Sequence, residues 1–374
     1  MAFRAPLFPF AIALILESVP LWAEEPAGSP SLLIGLLLPP EEVDAASLRQ
    51  GVQLGVDHAN EAPGPRVGLV VRGRVGQWGA DGEEAARMAL DDGARGLIAP
   101  PGGASSHLAL QVAGRTAVPV ISLCPDASVV GAGIPWMVRV VPATGEEART
   151  LFSGLTARTE GCVTRWGACV PDERAGREVA GDLRKAAQAS QAQLDKIIEV
   201  SPKLTNVASL VKSLLQAQPG AILLWLDPAP AGRLAKALRE AGFAGTLAGP
   251  GRLRSAAFVA SAGSAAEGVV VPGVVMDKAS QAAQGRFAAA YRQRFGADPD
   301  LTATMAYDAA TLLVELLRKA GDQPPHRVFP LTPGPVGASG NLQFDQNGNR
   351  LAALNLLMCR QGRFTPLPQQ TARP

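Results

Sequence analysis

Histidine and cysteine are scarce in this 374-residue chain, and only 5% of its residues are aromatic. The three histidines (His58, His107, His326) and four cysteines (Cys124, Cys162, Cys169, Cys359) are scattered at no spacing that a zinc site uses. No Gly-x-Gly-x-x-Gly follows the first strand-like run, which leads instead into Pro39-Pro40-Glu41-Glu42, so a dinucleotide site is not indicated. A nucleophile-elbow motif, a Walker-type loop and a Ser-His-Asp or Cys-His arrangement are also missing, and His107 beside Ser106 reads as a helix-start residue. Enzymatic function has no support, and nothing points to a cofactor or a metal. Lys plus Arg (35) nearly balances Asp plus Glu (33), with no basic run interleaved with aromatics, which excludes a nucleic-acid partner.

Long apolar runs are confined to the start. Arg4, the apolar stretch Ala5 to Leu16 and the exit segment Leu21-Trp22-Ala23 before Glu24-Glu25 have the order of a secretory signal. The stretch is about 12 residues, short of the roughly 20 of a membrane-spanning helix, and Glu17 interrupts it. Cleavage after Ala23 and export are expected. The first cysteine is Cys124, so no lipid-modified cysteine follows the exit segment. In an oxidising compartment Cys162 and Cys169 are candidates for one local disulfide, with buried free thiols as the alternative.

The mature chain, about 350 residues, exceeds what one core usually serves, so two lobes are expected. A Pro/Gly/Ser-rich linker (24–31) precedes a buried-strand run, Leu32 to Leu38. Helical periodicity over Ala45 to Asn60 follows, then strand Arg66 to Val71, helix Gly82 to Asp92, strand Gly96 to Ala99, loop Pro100 to Ser106, helix His107 to Gly114 and strand Val118 to Leu123. Strand-loop-helix units of this kind give a parallel sheet with helices on its faces. After Arg139 to Pro142 the rhythm restarts and runs to strand Gly268 to Val271, a second lobe of similar construction. A strand-like Val274-Val275, helices Ala279 to Phe295 and Thr302 to Ala320, and a hairpin about Gln346-Asn347-Gly348-Asn349 close the chain. The tail after Pro366 has no periodicity and is expected to be disordered.

Several dispersed blocks now resemble a known family. They are Ile34-Gly35-Leu36-Leu37-Leu38-Pro39, Gly96-Leu97-Ile98-Ala99-Pro100, Val118-Pro119-Val120-Ile121-Ser122, Arg139-Val140-Val141-Pro142, Arg239-Glu240-Ala241-Gly242-Phe243, Phe287 to Gly296 with Pro299, Ala306-Tyr307-Asp308-Ala309, and Gly340-Asn341-Leu342-Gln343-Phe344-Asp345 with Gly348. Each is weak alone; their order and spacing from Leu33 to Phe364 resemble the periplasmic binding proteins of the leucine/isoleucine/valine-binding type. The resemblance implies an α/β fold of two Rossmann-like lobes with parallel sheets, a three-segment hinge and a ligand cleft between the lobes. The crossings are expected near Pro142 to Gly145, Pro272 to Val274 and Pro333 to Ala338. Lobe one is then 31–142 plus 274–333, lobe two 145–271 plus 338–366, and 367–374 a disordered tail.

Under that resemblance, cleft-facing loops supply the candidate ligand-binding residues. Ser105 and Ser106 would hold an anion at a helix start or, alternatively, cap that helix. Cys124 and Asp126 lie in the next loop, where Asp126 would repel a carboxylate or pair with a cation. Trp78 is a cleft aromatic or a packing residue. On the second wall Trp225, Asp227 and Arg252 remain, with Arg252 either recognising a carboxylate in a bidentate fork or standing as a solvated loop charge. The family's tyrosine is replaced in Ala175-Gly176, and its acidic partner for an α-ammonium group is missing from Gly249-Pro250-Gly251-Arg252. A standard leucine-like ligand is therefore disfavoured. The expected function is that of a monomeric periplasmic solute-binding protein delivering an amino acid or a related carboxylate or amide to an ABC permease of the inner membrane. The alternative is a ligand-sensing module of the same fold with no transport role.

Overall fold

The structure is a computed structural model that describes residues 32–40, 42, 44–74, 79–131, 133–157, 163–201, 203–329 and 334–367. The signal-like segment, Trp78, Cys162 and the tail beyond residue 367 lie outside the described residues. In lobe one the chain runs β1 (Leu32–Leu37), α1 (Ala45–Glu61), β2 (Val67–Arg72), α2 (Ala80–Leu90), β3 (Leu97–Ala99), α3 (Gly103–Thr116), β4 (Val120–Ser122) and β5 (Met137–Arg139). These strands form a five-stranded parallel sheet in the order β2-β1-β3-β4-β5. Helices cover both faces, which is why β1 reads Leu-Leu-Ile-Gly-Leu-Leu without polar alternation.

Lobe two follows with α4 (Thr144–Thr156), β6 (Arg165–Pro171), α5 (Arg174–Ala189), β7 (Gln193–Val200), α6 (Val207–Leu215), β8 (Ala221–Leu224), α7 (Pro228–Glu240), β9 (Thr246–Ala248), α8 (Ala256–Ala262) and β10 (Val270–Val274). The chain then returns to lobe one as α9 (Lys278–Phe295), α10 (Leu301–Ala320) and the small ribbon β11 (Val336–Gly337) and β12 (Gly340–Asn341). It ends in lobe two as β13 (Leu354–Arg360) and β14 (Arg363–Pro366). The second sheet has the order β14-β13-β10-β9-β8-β6-β7, with β13 and β14 antiparallel at one edge. On β6, Trp166, Ala168 and Val170 pack toward Phe152 and Leu183, with Trp166 edge-on to Phe152 at 4.8 Å, whereas Cys169 faces the opposite core with Leu214 and Leu234. Cys169 is a buried thiol in that core, and its candidate partner Cys162 lies outside the described residues.

The returning helix α10 is the second half of the lobe-one core. Its apolar face packs on α1, where Gly51 and Gly55 remove the side chains that would separate them. A Cβ on Gly51 would lie 2.2 Å from the Ala303 carbonyl oxygen, and one on Gly55 2.7 Å from Ala310 Cβ. Asp300 caps α10 by accepting from the Ala303 amide at 2.7 Å, and Asp277 caps α9 in the same way through Ser280.

Four sequence expectations change here. Gly268–Val271 and Val274-Val275 are not separate strands, because β10 runs through Pro272. Parallel pairing with β9 is recorded only at Val270, so the missing N–H of Pro272, which points to that side, interrupts no recorded ladder bond. The Asn347-Gly348 turn does close, with Asp345 accepting from the Asn347 and Asn349 amides, but only the Phe344–Arg350 bridge pairs across it. The segment instead docks on β5, the Arg139 amide donating to the Gly348 carbonyl at 2.9 Å. The true hairpin is β13–β14, turning at Gln361 and Gly362 with φ of 51° and 74°, both positive as a tight hairpin turn requires. Leu342 and Phe344 pack in the lobe-one core, so the third crossing falls between Arg350 and β13, beyond the expected Pro333 to Ala338. Likewise Val274 belongs to the second sheet, so the second crossing follows it.

Buried polar groups lock the crossings. Asp308 of α10 accepts from the Ala338 and Ser339 amides at 2.7 and 2.8 Å and from the Ser339 hydroxyl. Arg350, 1% exposed, donates to that hydroxyl and to the Val140 carbonyl, both at 2.8 Å. Burial raises the Asp308 pKa and lowers that of Arg350 to about 10. Asp308→Ala strips three donors of their acceptor and leaves Arg350 without a countercharge, so urea unfolding should show a loss of about 3 kcal/mol or more.

Candidate functional site

A cavity of about 290 Å³ lies between the lobes, lined from the carboxyl ends of strands of both sheets. Lobe one contributes the segments after β1 (Glu42, Asp44), β3 (Pro101 to Gly103) and β4 (Leu123 to Asp126); lobe two contributes those after β6 and β8 and the face of α5. Open α/β sheets bind ligands at this end, where loops diverge and side chains of successive units converge.

Of the residues singled out from sequence, Cys124, Asp126, Trp225, Asp227 and Arg252 line the cavity. The serines do not. Helix α3 begins at Gly103, four residues earlier than its periodicity suggests, so both serines sit in its first turns. Ser105 Oγ donates to Asp81 at 2.6 Å, and the fully buried Ser106 Oγ donates to the Pro100 carbonyl at 2.9 Å. Neither caps the helix, and neither lines the cavity. Burial pushes the Cys124 thiol up to about 12, which keeps it protonated and unreactive.

Asp126 is partly buried, which raises its pKa, but the Ser128 amide and hydroxyl and His107 outweigh this and hold the carboxyl below its usual range. His107, Asp126 and Ser128 lie together, yet Asp126 and Ser128 both contact the same imidazole atom, Nε2, at 3.1 and 3.2 Å. A proton relay needs the two ring nitrogens to serve different partners, so this is no catalytic triad.

Carboxylates, most of them missed in the sequence, dominate the walls. Among the described residues the lining carries eight (Glu42, Asp44, Asp126 and Glu147, then Glu173, Glu178, Asp182 and Asp227), of which only Asp126 and Asp227 were singled out from sequence, against one cation, Arg252. Arg252 is already engaged, its Nη2 2.9 Å from Asp227. Glu42 accepts from the Gly102 amide at 3.3 Å, at the start of α3. Glu147, from the first turn of α4, accepts from the Gly251 amide at 3.1 Å. The acidic group missing from the sequence after Gly249-Pro250 is thus supplied in space by another helix, and Gly251 makes room for it: a Cβ there would lie 2.7 Å from Glu147 Oε1.

Burial raises both Glu42 and Glu147 to about 7, with Arg252 opposing in each case; Asp227 and Asp44 add to the rise at Glu42, while at Glu147 the Gly251 amide and Arg139 oppose and Glu146 adds. Among the described residues no three His, Cys, Asp or Glu converge closely enough to hold a metal ion, and no helix is long and apolar enough to cross a membrane.

With this geometry in view, comparison with known proteins assigns the chain. Residues 34–328 match the family model of a periplasmic binding protein, and the chain belongs to that family. No curated protein matches it in sequence. Among solved structures it is similar to a leucine-binding protein from Thermotoga maritima (17% identity, TM-score 0.78, 90% of this chain and 98% of that one). It is similar also to a branched-chain amino acid transporter substrate-binding protein from Streptococcus pneumoniae in complex with isoleucine (15%, 0.78, 89% and 97%). A third is the solute-binding protein of an ABC transporter from R. palustris in complex with benzoate (18%, 0.79, 90% and 95%). At these identities the likeness establishes the fold, two α/β lobes of the type I periplasmic binding kind.

The raised carboxyls make stability pH-dependent. Unfolded, Glu42 and Glu147 titrate near 4.5; folded, near 7. The folded state therefore binds more protons between these values, and its stability falls as pH rises through the window. Unfolding free energies at pH 5 and pH 8 should differ in that direction, and Glu42→Gln with Glu147→Gln should flatten the difference.

Proposed function

We propose that this chain is the exported solute-binding component of an ABC importer of the branched-chain amino acid transporter family. A cleaved leader delivers it to the periplasm, where it captures a small organic molecule between its lobes and presents the closed form, as a monomer, to a permease of the inner membrane. The observation that carries this reading is the cavity built from both sheets: a ligand touching both walls stabilises the closed arrangement, which is how binding becomes a signal for a partner. The family membership supports the same conclusion. Ser106 is held by backbone within the core, and the His107 cluster lacks relay geometry, so neither favours a catalytic role.

The ligand named at the outset, an amino acid or related carboxylate or amide, needs refinement. Arg252, read from sequence as either a carboxylate fork or a solvated loop charge, is paired with Asp227. The nearby relatives themselves were captured with ligands as different as isoleucine and benzoate, so the fold alone does not select one.

A thermal-shift screen of the protein from Glu24 onward should find compounds that raise the melting temperature at concentrations far above their dissociation constants. A true ligand will also reduce the radius of gyration in solution scattering. Trp225→Ala, which removes a large apolar surface from the cavity wall, should abolish both responses. Hits that stabilise without compaction would count against lobe closure.

A further inference from the structure

Places in this cavity suited to a ligand carboxylate are filled by the protein's own carboxylates. The amide at the start of α3 is taken by Glu42, the Gly251 amide by Glu147, and the one lining guanidinium by Asp227. We propose that the interlobe cavity takes an organic cation with no carboxylate of its own, of the small aliphatic di- or polyamine or guanidine class; this rests on the reading of that cavity as the ligand site.

The wall charges support it from both lobes. Asp126 of lobe one and Asp182 of lobe two both line the cavity. The Asp182 carboxyl is pushed above its ordinary range chiefly by burial; Lys185 opposes this, and the Asp126 charge of the other wall adds to it. On the other side Glu42 and Asp44 share the field of Asp227 and Arg252. Bringing such walls together concentrates negative charge in a region of low dielectric, where Coulomb energies are several times those in water. A cation between them removes that penalty; an anion increases it.

The remaining surface fits an aliphatic body rather than a metal ion. Leu123, Val141, Val179, Trp225 and Met305 line the space between the charged groups, and the carboxylates are spread around it instead of converging. Trp225 lines the cavity as well, and an indole in such a wall attracts an ammonium or guanidinium group, the more so when both are removed from water. Two of the acids hold cations of their own helix, Glu178 with Arg174 and Asp182 with Lys185, but neither cation lines the cavity.

Calorimetric titration of the protein from Glu24 onward with putrescine, spermidine and agmatine tests the proposal, with leucine, isoleucine, benzoate and succinate as the contrasting set. Expected is binding of at least one amine and of none of the contrasting set, weakened several-fold on raising salt from about 50 to about 500 mM. Asp182→Asn and Asp126→Asn should each weaken it about tenfold or more. Asp182 is half-buried on α5, and unchanged circular dichroism of its variant separates lost binding from lost fold. Amine binding that ignores both substitutions overturns the site assignment, as does tighter binding of magnesium or calcium than of any amine. Binding of leucine, benzoate or succinate with silence from the amines overturns the cation proposal while leaving the solute-binding reading intact. Silence from every probe also overturns it, and the screen of the preceding section then decides the solute-binding reading.

Discussion

Asp308 and Arg350 are buried among three segments of chain that have little else to hold them in register. The aspartate gathers the ribbon after α10, the arginine reaches from the last crossing to the Val140 carbonyl at the first, and Ser339 stands between them. Arg139, also buried, adds a second tie by donating to Asn349 Oδ1 at 2.7 Å. Buried ion pairs contribute little net stability against a well-packed apolar alternative, but breaking one is costly because the survivor is stranded. At a hinge this asymmetry is useful. The network holds Val140, the ribbon after α10 and Arg350 in one register, and with them the ends of the crossings beside the cavity.

Those loops carry a charge pattern that follows from the same economy of polar partners. A strand end or a helix start leaves backbone amides without acceptors, and at Gly102 and Gly251 the acceptors are glutamates. Glu42 and Glu147 thereby acquire fixed positions and, through burial, a pKa near neutrality. Selectivity in such a cavity is set as much by what it repels as by what it holds.

How much of this was legible in the sequence depends on how local the cause is. The apolar run of β1, the Leu48-Val52-Val56 stripe of α1 and the Leu-rich α10 declare themselves because periodicity is a local property. β9 is three residues long and α8 seven, too short for any period to register, and both went unseen. Gly102-Gly103 reads as loop, yet α3 starts at Gly103, and Gly102 leaves room for Glu42, a contact 60 residues away in sequence. The candidate site was legible in part, for the same reason. Trp225, Asp227 and Arg252 follow strands of one sheet and could be placed by topology, whereas Glu147 reads as an ordinary first-turn acid of a helix until Gly251 is seen beside it. Asn-Gly at 347–348 gave a correct turn and a wrong partner, because docking on β5 outweighs pairing across the turn.

The Gly51 and Gly55 seam between α1 and α10 has a consequence for how the molecule is made. Its two sides are more than 240 residues apart, with the whole first pass through lobe two between them. Contacts of such long range form late, since the loop they close must be ordered before they repay its entropy. A chain synthesised from its N-terminus therefore presents β1 and α1 with their apolar inner faces uncovered until residues past 320 have emerged, whereas most of lobe two can assemble earlier. The first segment made is among the last to be completed, a folding order that keeps the leading end of the chain unlocked while the rest is still being produced.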